Sequence, residues 1–132
     1  MSVGLVFDSW AILAYVQDEP SADPVEALLI DSARLKTGCI TTVNLGEVWY
    51  MLARKQSHSF ADRQVLELQS FGLERVDIDW PMVLQAAEFK SRYRISFADG
   101  FAAALAKQRN IELVTGDPEF RALESEIKIH WV

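Results

Sequence analysis

Short apolar segments alternate with longer segments of helical periodicity along most of this 132-residue chain. The apolar runs are typical of buried strands, and the segments between them carry capping residues at their starts and glycine or proline near several of their ends. Strands that alternate with helices favour parallel β-α-β units, so the sequence predicts an α/β fold with three layers, α/β/α, around a central, mainly parallel sheet of about five strands. The predicted strands are 3–7, 38–41, 75–78, 112–115 and 127–132, and the predicted helices are 9–16, 23–35, 44–55, 59–71, 80–92, 96–108 and 118–123.

The composition is that of an ordinary globular protein, with 50% hydrophobic and 24% charged residues. We therefore expect a single domain over residues 1–132. Cys39 is the single cysteine, so the chain forms no internal disulfide, which fits a reducing compartment. There is no signal-peptide pattern, and no apolar stretch approaches the roughly 20 residues that cross a bilayer. These features predict a cytoplasmic protein without a membrane anchor.

The net charge of −6 restricts the ways in which the chain can bind nucleic acid. A protein that holds nucleic acid by neutralising phosphates with its own cations is normally basic. The charge thus argues against a simple nucleic-acid-binding module. It is compatible with an enzyme that meets phosphate through a divalent cation, because such a site needs carboxylates.

Four acidic residues occupy equivalent places in the predicted β-α units. Asp8 ends the first strand, and Asp117 follows the strand that ends at Thr115. Glu47 and Asp99 are predicted in the opening turns of their helices. In an open parallel sheet the carboxyl ends of strands and the starts of the following helices share one edge, where ligands bind. The sequence therefore predicts that the four acids converge at that edge.

Helix capping is the alternative explanation for each acid taken singly. The spacings Asn44 to Glu47 and Ser96 to Asp99 resemble capping boxes. Asp117 precedes a proline, as an N-cap residue often does, and Asp8 or Ser9 could cap the first helix in the same way. Acids are also stabilised at helix N-termini by the helix dipole.

The set of four is harder to explain by capping alone. Clustered carboxylates repel one another, and one or more is driven to its protonated form unless a cation intervenes. Oxygen ligands of this kind suit Mg²⁺ or Mn²⁺. A zinc site of the usual nitrogen and sulfur type is excluded, because the chain has few residues that could form one: His58, His130 and Cys39.

Four stretches of sequence carry these acids: V-F-D-S-W-A-I-L around Asp8, T-T-V-N-L-G-E-V-W-Y around Glu47, S-F-A-D-G-F-A-A-A-L-A around Asp99, and L-V-T-G-D-P-E-F around Asp117. Each motif alone is weak, but the four occur in order from residue 3 almost to the C-terminus. In these motifs the chain resembles the PIN-domain nucleases and, in its compact length, the VapC-type toxins of toxin–antitoxin pairs.

The resemblance implies a ribonuclease that hydrolyses RNA phosphodiester bonds by metal-activated water, with Mg²⁺ or Mn²⁺ as cofactor and 5′-phosphate and 3′-hydroxyl products. By matching motif, Asp8, Glu47 and Asp99 are implied as the chief catalytic metal ligands, and Asp117 as a ligand directly or through water. Ser9 and Thr115 are implied to orient the acids or water. It also implies a small VapB-type antitoxin partner and a homodimer.

Gly100, directly after Asp99, departs from what the resemblance needs. A glycine in the first helical turn costs about 1 kcal/mol relative to alanine. Two explanations remain open at this stage: close approach of the substrate, or a tolerated glycine.

Basic residues near these motifs are candidates for contact with the RNA backbone. Arg54 lies seven residues beyond Glu47, two helical turns along the same face, and Lys55 adjoins it. Arg92 and Arg94 precede the helix of Asp99. The competing explanation is that cations near helix C-termini are stabilised by the helix dipole.

Two other functions remain to be tested against the nuclease. A haloacid-dehalogenase-like phosphatase carries a second aspartate two residues after the first, where this chain has Trp10. A non-catalytic PIN-fold binding module is the other alternative. It is disfavoured because a chain that has lost its metal should also have lost at least one of four mutually repelling acids.

Overall fold

The computed structural model describes residues 4–132 and contains a five-stranded sheet in which all four neighbouring pairs are parallel. The strand order is β3-β2-β1-β4-β5, so the first strand lies at the centre. The strands are β1 Leu5–Phe7, β2 Gly38–Thr41, β3 Glu74–Val76, β4 Glu112–Thr115 and β5 Ile129–Trp131. The helices are α1 Ser9–Val16, α2 Ala22–Leu35, α3 Thr42–Lys55, α4 His58–Phe71, α5 Trp80–Arg92 and α6 Phe97–Arg109, followed by a 3₁₀ helix, Pro118–Leu123.

Two hydrophobic cores lie on opposite faces of the sheet. Side chains alternate between the faces along a strand, and Val6 enters one core whereas Phe7 enters the other. Residues of α5, α6 and the 3₁₀ helix form the first core with Val6, and residues of α1 to α4 form the second with Phe7. Since both faces are covered, the central strand β1 consists of apolar residues alone. The predicted three-layer α/β/α architecture is confirmed.

Side-chain caps determine where most of the helices begin. An oxygen of Asp8, Thr41, Ser57, Asp79, Ser96 or Asp117 accepts a hydrogen bond from a backbone N–H in the first turn of the helix that follows it. Each cap satisfies one of the N–H groups that the start of a helix leaves without an internal partner.

The expected start of α3 was wrong by two residues. Thr41 caps this helix, and its Oγ1 accepts the N–H of Asn44 at 3.0 Å, so Asn44 is a first-turn residue and not the cap. Glu47 consequently lies in the second turn and does not take part in a capping box. The other elements agree with their predicted bounds within two residues at each end, and residue 3 of the first predicted strand lies outside the described part of the chain.

Within residues 4–132, no helix combines the length and the apolar character that a bilayer crossing needs.

Candidate active site

Asp8 lies at the centre of the sheet's carboxyl edge and is fully buried. It directly follows β1 and caps α1, where its Oδ1 accepts the N–H of Ala11 at 2.8 Å. Its Oδ2 accepts the hydroxyl of Thr115, at the end of the neighbouring strand β4, at 2.5 Å. Both oxygens of a carboxylate that has no access to solvent are therefore held in place, one by the first turn of α1 and the other by the end of β4.

Asp117 is tied to the same threonine. Thr115 Oγ1 accepts the N–H of Asp117 at 3.0 Å, so one hydroxyl contacts both acidic segments. Asp117 in turn caps the 3₁₀ helix, with its Oδ1 accepting the N–H of Glu119 at 3.0 Å. The predicted supporting position of Thr115 corresponds to this bridge between Asp8 and Asp117.

Asp99 enters the site from the first turn of α6. Its N–H donates to Ser96 Oγ at 3.1 Å, and only 8% of its surface is exposed. Carboxylate oxygens of Asp99, Asp117 and Glu119 lie within 4.8 Å of one another, a spacing that could hold a metal ion. Glu119 was missed by the sequence analysis, although its position two residues after Asp117 in the first turn of a short helix was a signal that could have identified it.

Glu47 reaches the site from α3 and is held by two hydroxyl groups. The Ser9 hydroxyl donates to Glu47 Oε1, and the Tyr50 hydroxyl lies 3.4 Å from Oε2. Ser9 is buried beside Asp8, whereas Tyr50 is exposed. The structure thus brings Ser9 and Glu47 together across 38 residues of sequence, next to the segment that carries Asp8.

The pKa values of two acids in the cluster, Asp8 and Asp99, are raised. Burial raises the pKa of Asp8 from its ordinary value of 3.8 to about 8, and the charges of Asp99 and Asp117 act in the same direction. Burial likewise raises the pKa of Asp99 to about 7, with further contributions from Asp117, Glu47 and Glu119. Among residues 4–132, no lysine, arginine or histidine forms an ion pair with any of these five acids.

The donor set fits a hard divalent cation. All candidate ligand atoms are carboxylate oxygens, as Mg²⁺ and Mn²⁺ prefer, and a cation would stabilise the ionised forms that burial now disfavours. The two histidines lie elsewhere: His58 packs against the Trp49 ring, and His130 lies 3.3 Å from Glu112. The arrangement can therefore hold a divalent ion at a partly buried acidic edge, with oxygen ligands alone.

Gly100 has a packing role that neither earlier explanation anticipated. A Cβ placed on Gly100 would lie 3.0 Å from the carbonyl oxygen of Ala86 in α5. The missing side chain therefore allows α5 and α6 to approach closely, which supports the helix that carries Asp99.

The candidate RNA-contacting residues differ in how they are engaged. Arg54 and Lys55 are exposed at the end of α3, and the Arg54 guanidinium lies 5.1 Å from the centre of the Tyr50 ring. Arg92 is already paired, at 3.0 Å with Glu88 and 2.7 Å with Glu126. Arg94 is exposed between α5 and α6, two residues before the Ser96 cap.

Solved structures with the same fold cover nearly the whole chain. VapC20 of Mycobacterium tuberculosis, described as a sarcin-ricin loop cleaving toxin, is 20% identical, with a TM-score of 0.73 over 94% of this chain and 96% of that one. VapBC2 of Rickettsia felis, bound to promoter DNA, is 17% identical, with a TM-score of 0.72 over 97% and 98%. FitAcB of Neisseria gonorrhoeae is 23% identical, with a TM-score of 0.69 over 95% of each chain.

A sequence search found no match among curated proteins. The sequence model of the PIN domain, in contrast, matches residues 5–126, which include the central strand, all four predicted acids and Glu119. Since this match spans most of the chain and the fold agrees with it, the protein belongs to the PIN domain family.

Proposed function

We propose that this protein is a divalent-cation-dependent endoribonuclease. Asp8, Glu47, Asp99 and Asp117 are its metal ligands and catalytic acids, and Glu119 is a further candidate ligand. The observation that carries this proposal is the fully buried carboxyl group of Asp8, surrounded by further acids and without an ion pair in the described part of the chain. A structural carboxylate in such a place is costly unless a cation compensates it.

The residues of the chain have separable tasks in this proposal. Thr115 holds Asp8 and Asp117 in one arrangement, and Ser9 and Tyr50 orient Glu47. Burial of Asp8 and Asp99 keeps water from competing for their oxygens. When bound, a divalent cation lowers the pKa of water and stabilises the charge that develops on a phosphodiester during hydrolysis. No side chain of the cluster is then needed as a covalent nucleophile.

The biological role is proposed from the family and its neighbours. The similarity to a sarcin-ricin loop cleaving toxin and to VapBC complexes supports RNA as substrate and a small VapB-type antitoxin as partner. In this proposal the protein is a cytoplasmic toxin and forms a homodimer. Arg54, Lys55 and Arg94 are the better candidates for phosphate contact, because Arg92 already pairs with two glutamates.

Cleavage of cellular RNA tests the activity directly. Purified protein is incubated with total RNA in Mg²⁺, in Mn²⁺ and in chelator, and the new RNA ends are sequenced. The matched control is Asp8→Asn, which preserves the size of the side chain and the capping oxygen but removes the charge. We expect discrete cuts with 5′-phosphate ends in either cation, and none in chelator or in the variant.

The folding of the control is measured in the same experiment. The Asp8→Asn protein should unfold near the wild-type temperature. Burial raises the pKa of the Asp8 carboxyl group to about 8, so the substitution introduces an uncharged group where the uncharged form is already favoured. Metal-dependent cleavage by a folded Asp8→Asn variant would contradict the proposed site. If antitoxin-free wild-type protein makes no cuts, the alternative of a non-catalytic PIN-fold binding module is favoured.

A further inference from the structure

The Trp10 indole lies so close to Gly116 that a residue with a side chain at position 116 would collide with it. A Cβ placed on Gly116 would lie 2.2 Å from Cη2, 2.3 Å from Cζ3 and 2.9 Å from Cζ2 of the Trp10 indole. All three atoms belong to the far edge of the six-membered ring. Real Cβ atoms do not approach other atoms at such distances, so even an alanine at this position would displace either the ring or the backbone.

The reason for this glycine is space and not backbone conformation. Among the glycines of residues 4–132, Gly72 is the one with a positive φ, so the backbone of Gly116 is open to other residues. The effect of an alanine at Gly116 consequently comes from the contact between its methyl group and Trp10, without additional backbone strain.

The contact joins two of the segments that carry acids of the cluster. Trp10 lies two residues after Asp8, in the first turn of α1. Gly116 lies between Thr115, whose hydroxyl donates to Asp8, and Asp117, whose carboxylate lies near those of Asp99 and Glu119. The indole therefore rests on the one residue that separates the bridging threonine from an acid of the cluster.

We propose that Trp10 is a positioning residue of the cation site. Its indole ring determines the position of the turn 115–117 and thereby the position of the Asp117 carboxylate. This inference rests on the proposed function, because it assumes that Asp117 belongs to a cation site. The Thr115 hydrogen bonds hold the start of the turn, and the Trp10 ring holds its middle. The turn is short, so a displacement of Gly116 carries Asp117 with it.

The test compares Mn²⁺ affinity, measured by titration calorimetry, with thermal unfolding of the same metal-free samples. Gly116→Ala should weaken Mn²⁺ binding by about 10–100-fold, as the loss of groups that orient metal ligands does. The double variant Trp10→Phe with Gly116→Ala should recover most of the affinity, because phenylalanine lacks the three ring atoms that meet the added methyl group.

Gly46→Ala is the matched control. Gly46 adjoins Glu47 on α3, and a Cβ placed there has no atom within 4 Å. This variant should bind Mn²⁺ like the wild type and be equally or slightly more stable, since alanine favours helix more than glycine does.

Each outcome distinguishes the inference from the proposed function. A wild-type protein that binds no Mn²⁺ overturns the proposed function and this inference with it. Wild-type binding with unchanged affinity in Gly116→Ala, or with no recovery in the double variant, overturns the inference alone.

A second pair of variants covers the case in which Gly116→Ala does not fold. Trp10→Ala removes the whole ring, whereas Trp10→Phe removes the far edge that contacts Gly116 and keeps the rest of an aromatic side chain. We expect both variants to bind Mn²⁺ more weakly than the wild type, and Trp10→Ala to bind it more weakly than Trp10→Phe. Equal affinities in these two variants and the wild type overturn the inference.

Discussion

The hydroxyl group of Thr115 connects two of the proposed ligands at the scale of single atoms. It donates to Asp8 Oδ2 and accepts from the N–H of Asp117, so its one proton and one of its lone pairs are both used. The residue is fully buried. A change that keeps its volume but removes the oxygen would take away the partner of a buried carboxylate oxygen and of a partly buried N–H.

Thr115→Val makes that change. We expect a loss of about 1–3 kcal/mol in the free energy of unfolding, since a buried acceptor and a partly buried donor lose their partner. Cation affinity should fall by about 10–100-fold, as it does when groups that orient metal ligands are lost. Chemical unfolding and Mn²⁺ titration measure the two effects. Thr115→Ser keeps the hydroxyl and should retain most of the affinity; equal losses in both variants would refute the hydrogen-bonding role.

The pKa values of Asp8 and Asp99 predict how the metal-free protein responds to pH. Both pKa values are raised by burial, to about 8 and about 7, so between pH 4 and these values the folded chain holds protons that the unfolded chain has released. The free energy of unfolding should therefore decrease as pH rises through this window, by up to about 1.4 kcal/mol per pH unit for each group, and level off above it.

Urea unfolding in chelator at several pH values measures this slope. Asp8→Asn has no proton to release at that position, so its slope should be shallower than that of the wild type. A stability that rises steadily from pH 5 to pH 8 in metal-free wild-type protein would be incompatible with the raised pKa values.

Helix starts are the elements that deliver the acids to the sheet edge. Asp8 begins α1, Asp99 lies in the first turn of α6, and Asp117 begins the 3₁₀ helix. The partial positive charge at a helix N-terminus favours carboxylates, so each acid is accommodated locally as well as being part of the cluster. Capping does not exclude metal binding for Asp8 and Asp117, because both acids cap a helix and lie in the candidate site.

Two serine caps allow the capping and positioning effects to be separated. Ser96 accepts the N–H of Asp99 at 3.1 Å, and Ser57 accepts the N–H of Phe60 at 3.0 Å at the start of α4. Replacing either serine by alanine should cost about 1 kcal/mol of unfolding free energy. Only Ser96→Ala should also weaken Mn²⁺ binding, because it loosens the turn that carries Asp99. Calorimetric titration of both variants provides the comparison, and equal affinities would argue against this role of the cap.

At the scale of the whole molecule, the buried acids at the sheet edge lower the stability of the metal-free fold, and the two hydrophobic cores offset this loss. The chain carries a net charge of −6, and its buried acids lack ion pairs within residues 4–132. The rest of the structure supplies the stability: apolar side chains fill both faces of the sheet, and α5 and α6 pack closely at Gly100. A ligand that neutralises the edge should consequently stabilise the entire fold.

Divalent cations should raise the midpoint of thermal unfolding. A ligand that binds only the folded state at about 100 times its Kd contributes about 2.7 kcal/mol. Scanning calorimetry with Mn²⁺ or Mg²⁺, followed by addition of chelator, tests the effect and its reversal. Asp8→Asn should show a much smaller shift. An equal shift in wild type and variant would indicate that the cations act elsewhere on this acidic chain.

Most of the fold was predictable because its signals act over a few residues. Apolar runs marked the strands, and Asp79 and Ser96 marked helix starts, so element bounds agree within two residues. The start of α3 shows the limit of such signals: Asn44 resembled a cap, but Thr41 occupies that position, because a threonine at a strand end can serve the strand and the helix at once.

The amino-acid sequence was enough to predict the α/β class and the alternation of elements, and it predicted four acids at one edge. The strand order emerges only in the folded chain, where it places β1 beside β4 and brings Asp8 and Thr115 into contact across 107 residues. The Trp10–Gly116 contact and the place of Glu119 in the cluster depend on the same arrangement. The physical reason is that capping and periodicity are local interactions, whereas these contacts arise only when distant strands pair and two cores close around them.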